Sequence, residues 1–185
     1  LTVLDLDPDL VDGFVSRGAK AADSPAALMR DCDVVITCLP SPAACNAVVS
    51  EMMDEVCEGK IWLEMSTTDE AEVKRLGAEV IARGGVAVDC PVSGGCHRAD
   101  TGNISIFAGC DRATFDRILP LLTIMGRRVL HTGDLGSASI LKVLPTIGHP
   151  PSPGMCASAS SLGLPSCQCD GAVSAGWCGA SVAIR

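Results

Sequence analysis

Seven consecutive residues, Asp89-Cys90-Pro91-Val92-Ser93-Gly94-Gly95, combine a strand-ending acid, a hydroxyl and two glycines. Glycine at 94 and 95 permits positive φ and lets backbone amides approach an anion closely, which suits a carboxylate pocket. A tight turn uses the same residue types, and the segment alone does not decide between the two. Further along, Gly133-Asp134-Leu135-Gly136 opens a helical stretch in which Lys142 is the polar point among Ile140, Leu141, Val143 and Leu144. An isolated helical lysine is ordinarily a solvated charge. Desolvated by such neighbours, its pKa falls from ~10.4 toward the range of a general acid or base.

Three further segments place polar or cleft-lining groups at expected strand ends. Asp5 closes the first apolar run, where a dinucleotide-binding sheet places an acid for ribose hydroxyls. That acid favours NAD over NADP, because it repels an added phosphate and Leu6 beside it supplies no compensating arginine. Cys38-Leu39-Pro40 ends the apolar run at 33–39, and Ser66-Thr67-Thr68 follows the run at 60–65. Singly, each reads equally well as a turn, a cap or a strand end. Together they fall at the carboxyl ends of successive strands, the edge where open α/β sheets bind ligands.

The elements that must position these groups alternate two periods. Residues 1–6, 33–39, 60–65, 86–89, 104–108 and 128–131 are short apolar runs of the kind buried on both faces of a parallel sheet. Between them, 8–17, 41–56 and 112–125 carry helical spacing. After Thr68, expected as a cap, Val73, Leu76, Val80 and Ile81 point inward along another helix, which Gly84-Gly85 stops. Repeated β-α-β predicts an α/β fold with a doubly wound, mostly parallel Rossmann-like sheet.

The pattern breaks after Leu144. Of residues 145–185 only Asp170 and Arg185 are charged, the rest being dominated by Gly, Ala, Ser, Pro and Cys, with no strand or helix period. Two regions are expected: 1–144, a partial NAD(P)-binding domain, and 145–185, a low-complexity, unstructured tail. The abrupt change suggests readthrough, a frameshift or an altered splice. The chain opens at Leu1 inside an expected strand, as a fragment would.

Composition narrows the function classes. A length of 185 residues with 48% hydrophobic content suffices for one core. The net charge of −8 argues against a nucleic-acid partner, and no apolar run approaches the ~20 residues that span a bilayer. The eleven cysteines form no C-x-x-C pair, so no metal site is expected and buried free thiols are. A reducing compartment follows, cytoplasm or mitochondrial matrix.

The combination Asp89-Cys90-Pro91-Val92-Ser93-Gly94-Gly95, Ala99 with Gly102-Asn103, Ala108-Gly109, and Gly133 with Gly136 leading to Lys142 resembles the β-hydroxyacid dehydrogenase family. That family is typified by 3-hydroxyisobutyrate dehydrogenase and related to 6-phosphogluconate dehydrogenase. The resemblance covers about residues 1–144 and extends to Ile36-Thr37-Cys38-Leu39-Pro40 and Ser66-Thr67. It implies hydride transfer between NAD(P) and a small 3-hydroxy acid or its semialdehyde. By that analogy Ser93, Gly94 and Gly95 hold the substrate carboxylate and Thr67 lies near the nicotinamide. Leu39 and Pro40 line the cofactor cleft, Asp5 meets the ribose and Lys142 exchanges the hydroxyl proton. A homodimer is implied for the intact family member.

Departures accompany the resemblance. The family's first, central strand and its G-x-G-x-x-G turn precede the point where this chain starts, and its helical C-terminal domain has no counterpart. His97 stands where a glycine is common. Pro145 is expected to end the lysine helix, and Thr146 replaces an asparagine. Impaired turnover is therefore expected. The alternative is a non-catalytic nucleotide-binding or interaction fragment. A flavodoxin-like receiver would explain the sheet but not the loop with its lysine.

Overall fold

Alternation within three central strands explains how the sheet is sandwiched. The computed structural model describes residues 1–147 and 181–184. β3 (Val34–Thr37), β4 (Ile61–Glu64) and β5 (Val86–Asp89) pair in parallel, with Val34 opposite Ile61 and Ile61 opposite Val86. Val35, Trp62 and Ala87 enter one core cluster, and Ile36, Leu63 and Val88 the other, as the two-residue strand period demands. The first cluster is completed by α2 (Pro25–Asp31), α3 (Pro42–Met52) and α4 (Glu70–Ala82) through Leu28, Met29, Val49, Met52, Leu76 and Val80. The second is completed by α6 (Arg112–Met125) through Phe115, Ile118 and Leu122. Helices thus cover both faces, as expected of a doubly wound α/β fold.

On one side β1 (Thr2–Leu4), α1 (Pro8–Val15) and β2 (Lys20–Ala21) form a parallel unit. On the other come β6 (Val92–Ser93), α5 (Gly95–Asp100), β7 (Ser105–Gly109) and β8 (Arg128–Gly133). β7 runs antiparallel to β5 and β6 but parallel to β8, so this part of the sheet is mixed. The cause is the connection: α5 is six residues long, too short for a crossover, whereas α6 spans fourteen and returns the chain in parallel.

The unexpected feature is in the middle. β9 (Ser181–Ile184) lies between β1 and β3, antiparallel to both, in the order β2-β1-β9-β3-β4-β5-β7-β6. Ala183 faces Thr2 on one side and Val35 on the other. The slot that the sequence left empty is filled by four residues of the expected tail, because β1 and β3 would otherwise bury unpaired amides and carbonyls. The expectation that no strand period survives beyond 145 fails at this segment; for 148–180 it lies outside the described residues.

Other boundaries move for local reasons. α7 (Ser137–Ile147) continues through Pro145, so the expected boundary at 144 falls inside a helix. Only two residues of helix follow that proline, and α6 likewise absorbs Pro120. Asp69, not Thr68, caps α4, its carboxylate accepting from the Ala71 amide at 2.8 Å. Ile81, expected inward, is 54% exposed near the end of that helix. No helix among the described residues is long and apolar enough to cross a membrane.

Candidate functional site

The lysine and the glycine-rich loop meet. β5 ends at Asp89, and the chain passes through buried Cys90 and Pro91 to β6, where Val92 pairs with Ile106 and Ser93 with Ser105. From α7, Lys142 sends Nζ onto the Val92 carbonyl oxygen, one residue before Ser93. Ser93, Gly94 and Gly95 are exposed beyond that contact, with φ of 139° at Gly94 and 70° at Gly95. Those angles require glycine, and a Cβ at 94 would also press on the Arg98 side chain at 3.0 Å. Lys142 is half-buried, and desolvation holds its pKa below the ordinary 10.5, with Cys38 on the adjoining strand end opposing the shift. An amine so placed gives up its charge more readily than a surface lysine.

α7 approaches this closely because of a glycine in β7. A Cβ at Gly109 would stand 2.9 Å from the Asp134 carbonyl oxygen and 2.9 Å from Ser137 Oγ. The start of α7 is held further by Thr132 Oγ1 and Ser137 Oγ, 2.7 Å apart.

A second cluster fastens the β3 and β4 ends. Ser66 Oγ accepts the Leu39 amide at 2.7 Å, and Glu64 Oε1 accepts the Ser66 amide at 2.7 Å. Glu64 is fully buried; its Oε2 lies 2.5 Å from Thr37 Oγ1 and receives the Cys45 thiol at 2.8 Å. Thr37 Oγ1 also receives Trp62 Nε1 at 2.9 Å. The network links both loops that carry Leu39, Pro40 and Thr67. Leu39 is half-buried against the core, whereas Pro40 and Thr67 are exposed. Burial pushes the Glu64 carboxyl above its ordinary 4.5, despite the donors around it. Burial, then Glu64 itself, drives the Cys45 thiol upward too, so it remains a protonated donor.

Glu64 carries a stability prediction. Because its folded pKa is raised, the carboxyl favours the fold below pH 4.5, and this contribution is lost as pH rises through the folded value. Glu64→Gln, which keeps the shape but cannot ionise, removes this slope: the difference in urea midpoint between parent and variant shifts in the variant's favour from pH 4 to pH 8. Glu64→Ala orphans the Ser66 amide and the Thr37 and Cys45 donors, and costs about 3–5 kcal/mol. A pH-independent difference for Glu64→Gln would contradict the raised pKa.

Asp5 lies one residue past β1, separated by β9 from the end of β3. Its Oδ1 accepts the Asp7 amide at 2.9 Å, while Oδ2 is buried with no hydrogen-bond partner among the described residues. Thr68 Oγ1 is likewise buried and unpartnered. The Asp5 carboxylate stands at the strand edge where a dinucleotide-binding sheet places an acid for ribose hydroxyls, though its Oδ2 must turn outward to reach one. The cleft bounded by Thr2, Lys20, Asp23, Arg30, Asp33 and Lys60 opens at the amino edge of the strands. Its Lys60 is already committed to the carbonyls of Arg30 and Cys32 at 2.9 and 2.8 Å, so that cleft is not the candidate site.

Of the residues picked from sequence, Lys142 and the Ser93-Gly94-Gly95 loop are thus brought together, and Leu39 and Thr67 flank one hydrogen-bonded network. Glu64, Thr37, Cys45 and Ser139 gain their roles only in the fold. The signal for Glu64 was present: an acid closing the strand Ile61–Glu64, otherwise Ile, Trp and Leu. Among the described residues Cys32, Cys45, Cys90 and Cys110 are buried free thiols, and no His, Cys, Asp and Glu cluster could hold a metal.

A family profile described as the NAD binding domain of 6-phosphogluconate dehydrogenase matches residues 1–133. Over 136 residues the chain is 31% identical to glyoxylate/succinic semialdehyde reductase 1 of Arabidopsis thaliana, covering 72% of this chain and 47% of that protein. It is 34% identical over 146 residues to mitochondrial 3-hydroxyisobutyrate dehydrogenase of Rattus norvegicus, 77% of this chain and 44% of that one. The solved structure of Mycobacterium tuberculosis 3-hydroxyisobutyrate dehydrogenase with L-serine superposes with a TM-score of 0.73 at 26% identity. That match covers 78% of this chain and 50% of the solved one. The chain spans about half the length of these relatives.

Proposed function

This chain belongs to the family of NAD-binding β-hydroxyacid dehydrogenases whose domain is that of 6-phosphogluconate dehydrogenase, and on that premise we propose that it carries the cofactor-side half of an oxidoreductase for small 3-hydroxy acids or their semialdehydes. The observation that carries the proposal is the Lys142 amine fixed on the Val92 carbonyl, beside Ser93, Gly94 and Gly95. In this reading the Ser93 hydroxyl and the backbone at Gly94 and Gly95 hold the substrate carboxylate. That grip presents the neighbouring hydroxyl to Lys142, which in its neutral form accepts the hydroxyl proton during oxidation and returns it during reduction. A bound nicotinamide supplies the hydride acceptor. Thr67, Leu39 and Pro40 border it, and the Asp5 carboxylate, turned outward, takes the adenosine ribose hydroxyls, which favours NAD over NADP.

The test is calorimetric titration of the whole chain with NAD and with NADP. Heat of binding with NAD, weaker binding with NADP, and loss of that preference in Asp5→Ala are the expected results. A folded chain that takes up neither cofactor would overturn the reading.

One observation favours the second reading, a nucleotide-binding or interaction unit without turnover. β9 runs antiparallel, so its amino end, Ser181, meets the carboxyl ends of β1 and β3 at Leu4 and Thr37. A parallel strand in that slot would deliver a turn and a helix N-terminus for the pyrophosphate there. NAD binding without oxidation of any 3-hydroxy acid would select this second reading.

A further inference from the structure

We propose that Asp89 and Ser139 are a positioning pair that sets the Lys142 amine against the loop at 91–95, an inference that rests on the role given to Lys142 above. Asp89 is the last residue of β5 and fully buried. Its Oδ2 accepts the Ser139 amide and its Oδ1 the Ser139 hydroxyl, both at 2.7 Å. The first amides of a helix have no acceptor within it. In α7 that need is met from β5, across fifty positions of sequence, and the Ala138 amide contributes to the same carboxylate. The negative group also faces the positive end of the helix dipole.

Geometry connects this clamp to the amine. Residues 139 and 142 are three apart, so both side chains lie on one face of α7, one turn from each other. Ser139 is tied to Asp89, where the loop begins, and Lys142 to Val92 within it. Two fastenings on one helix face fix both its rotation and its height above the loop. Without the Asp89 clamp, the side-chain hydrogen bonds left on α7 among the described residues are that between Thr132 and Ser137 at the helix start and that of Lys142 to Val92, and the turn between them is held less firmly. The titratable groups that bear on the pair are Glu70 and Cys90, which interact with Asp89, and Cys38, which acts on Lys142.

Ser139→Ala separates positioning from folding, because it keeps the backbone bond to Oδ2 and removes only the hydroxyl bond to Oδ1. The measurement is competitive acetylation of the folded full chain from pH 6 to 11, with each lysine quantified by mass spectrometry and exposed Lys20 as the internal reference. In Ser139→Ala the Lys142 midpoint is expected to rise toward 10.5 as the amine regains solvent. Lys20 stays unchanged, and Ser139→Thr, which keeps the hydroxyl, restores the parent midpoint. Should Ser139→Ala be too unstable to label, Asp89→Asn supplies the same comparison. A Lys142 midpoint unmoved in the folded variant, despite a lowered melting temperature, would overturn the proposal and leave the pair a purely structural contact. The labelling midpoint reports positioning alone; whether Lys142 exchanges the substrate proton is read separately from turnover of Lys142→Ala.

Discussion

On the proposed function, Lys142→Ala is expected to lower kcat for oxidation of a small 3-hydroxy acid by about 100-fold or more, the scale on which a positioned acid or base contributes, and to leave NAD affinity nearly unchanged. The separation follows from placement: Lys142 contacts the loop assigned to the substrate, whereas Asp5, assigned to the ribose, sits beyond β9. Stability moves the other way. The Lys142 pKa is lower in the fold than its ordinary 10.5, so as pH falls the unfolded chain binds this proton first. The cost to the fold therefore begins near pH 10.5 and is complete below the depressed folded value. Lys142→Met, of similar length and without charge, removes that cost: its melting temperature at pH 7 equals or exceeds the parent's, and the gap closes above pH 10.5. Loss of rate with no loss of stability would mark Lys142 as retained for chemistry. Turnover of Lys142→Ala within about three-fold of the parent would remove it from the mechanism.

How far the sequence carried depends on whether a signal is local. Strands β3, β4 and β5 were legible because burial on both faces makes them continuous apolar runs, and α4 and α6 because one apolar stripe repeats at helical spacing. Lys142 was legible as a polar residue among Ile140, Leu141 and Val143, but Ile140 and Val143 are 44% and 48% exposed, so those neighbours do not desolvate it. Its half-burial comes with its seat on the Val92 carbonyl, across fifty positions of sequence. What stayed hidden was set by partners distant in the chain. Ser139 is one more small polar residue in Ser137-Ala138-Ser139 until Asp89 is seen fifty positions away. Thr37 and Cys45 gain meaning only when folding brings them to Glu64. Ser181–Ile184 alternates small and β-branched residues over just four positions, amid Gly, Ala and Ser. Nothing within that segment distinguishes it from its surroundings; the two unpaired edges of β1 and β3 make it a strand.

That dependence yields a second large effect, this one on stability. Ala183→Pro lowers the urea midpoint by the equivalent of about 3 kcal/mol or more, a large share of the ~5–15 kcal/mol that holds a domain together. In a strand paired on both sides every backbone amide has a partner, so proline at 183 must break a ladder bond whichever neighbour that amide faces. Ala183 is also the position that stands opposite both Thr2 and Val35. The damage should be confined at first. β1 and β2 reach the rest of the sheet through β9, whereas β3, β4 and β5 are paired directly with one another. Hydrogen exchange in Ala183→Pro is therefore expected to quicken at Thr2–Leu4 and Val34–Thr37 together, while Val86–Asp89 keeps its protection under native conditions. Because Asp5 directly follows β1, the NAD binding proposed above is expected to weaken in the same variant even where Lys142 and its loop remain in place. An unchanged midpoint with unchanged exchange at β1 and β3 would mean that these four residues do not hold the centre of the sheet in solution.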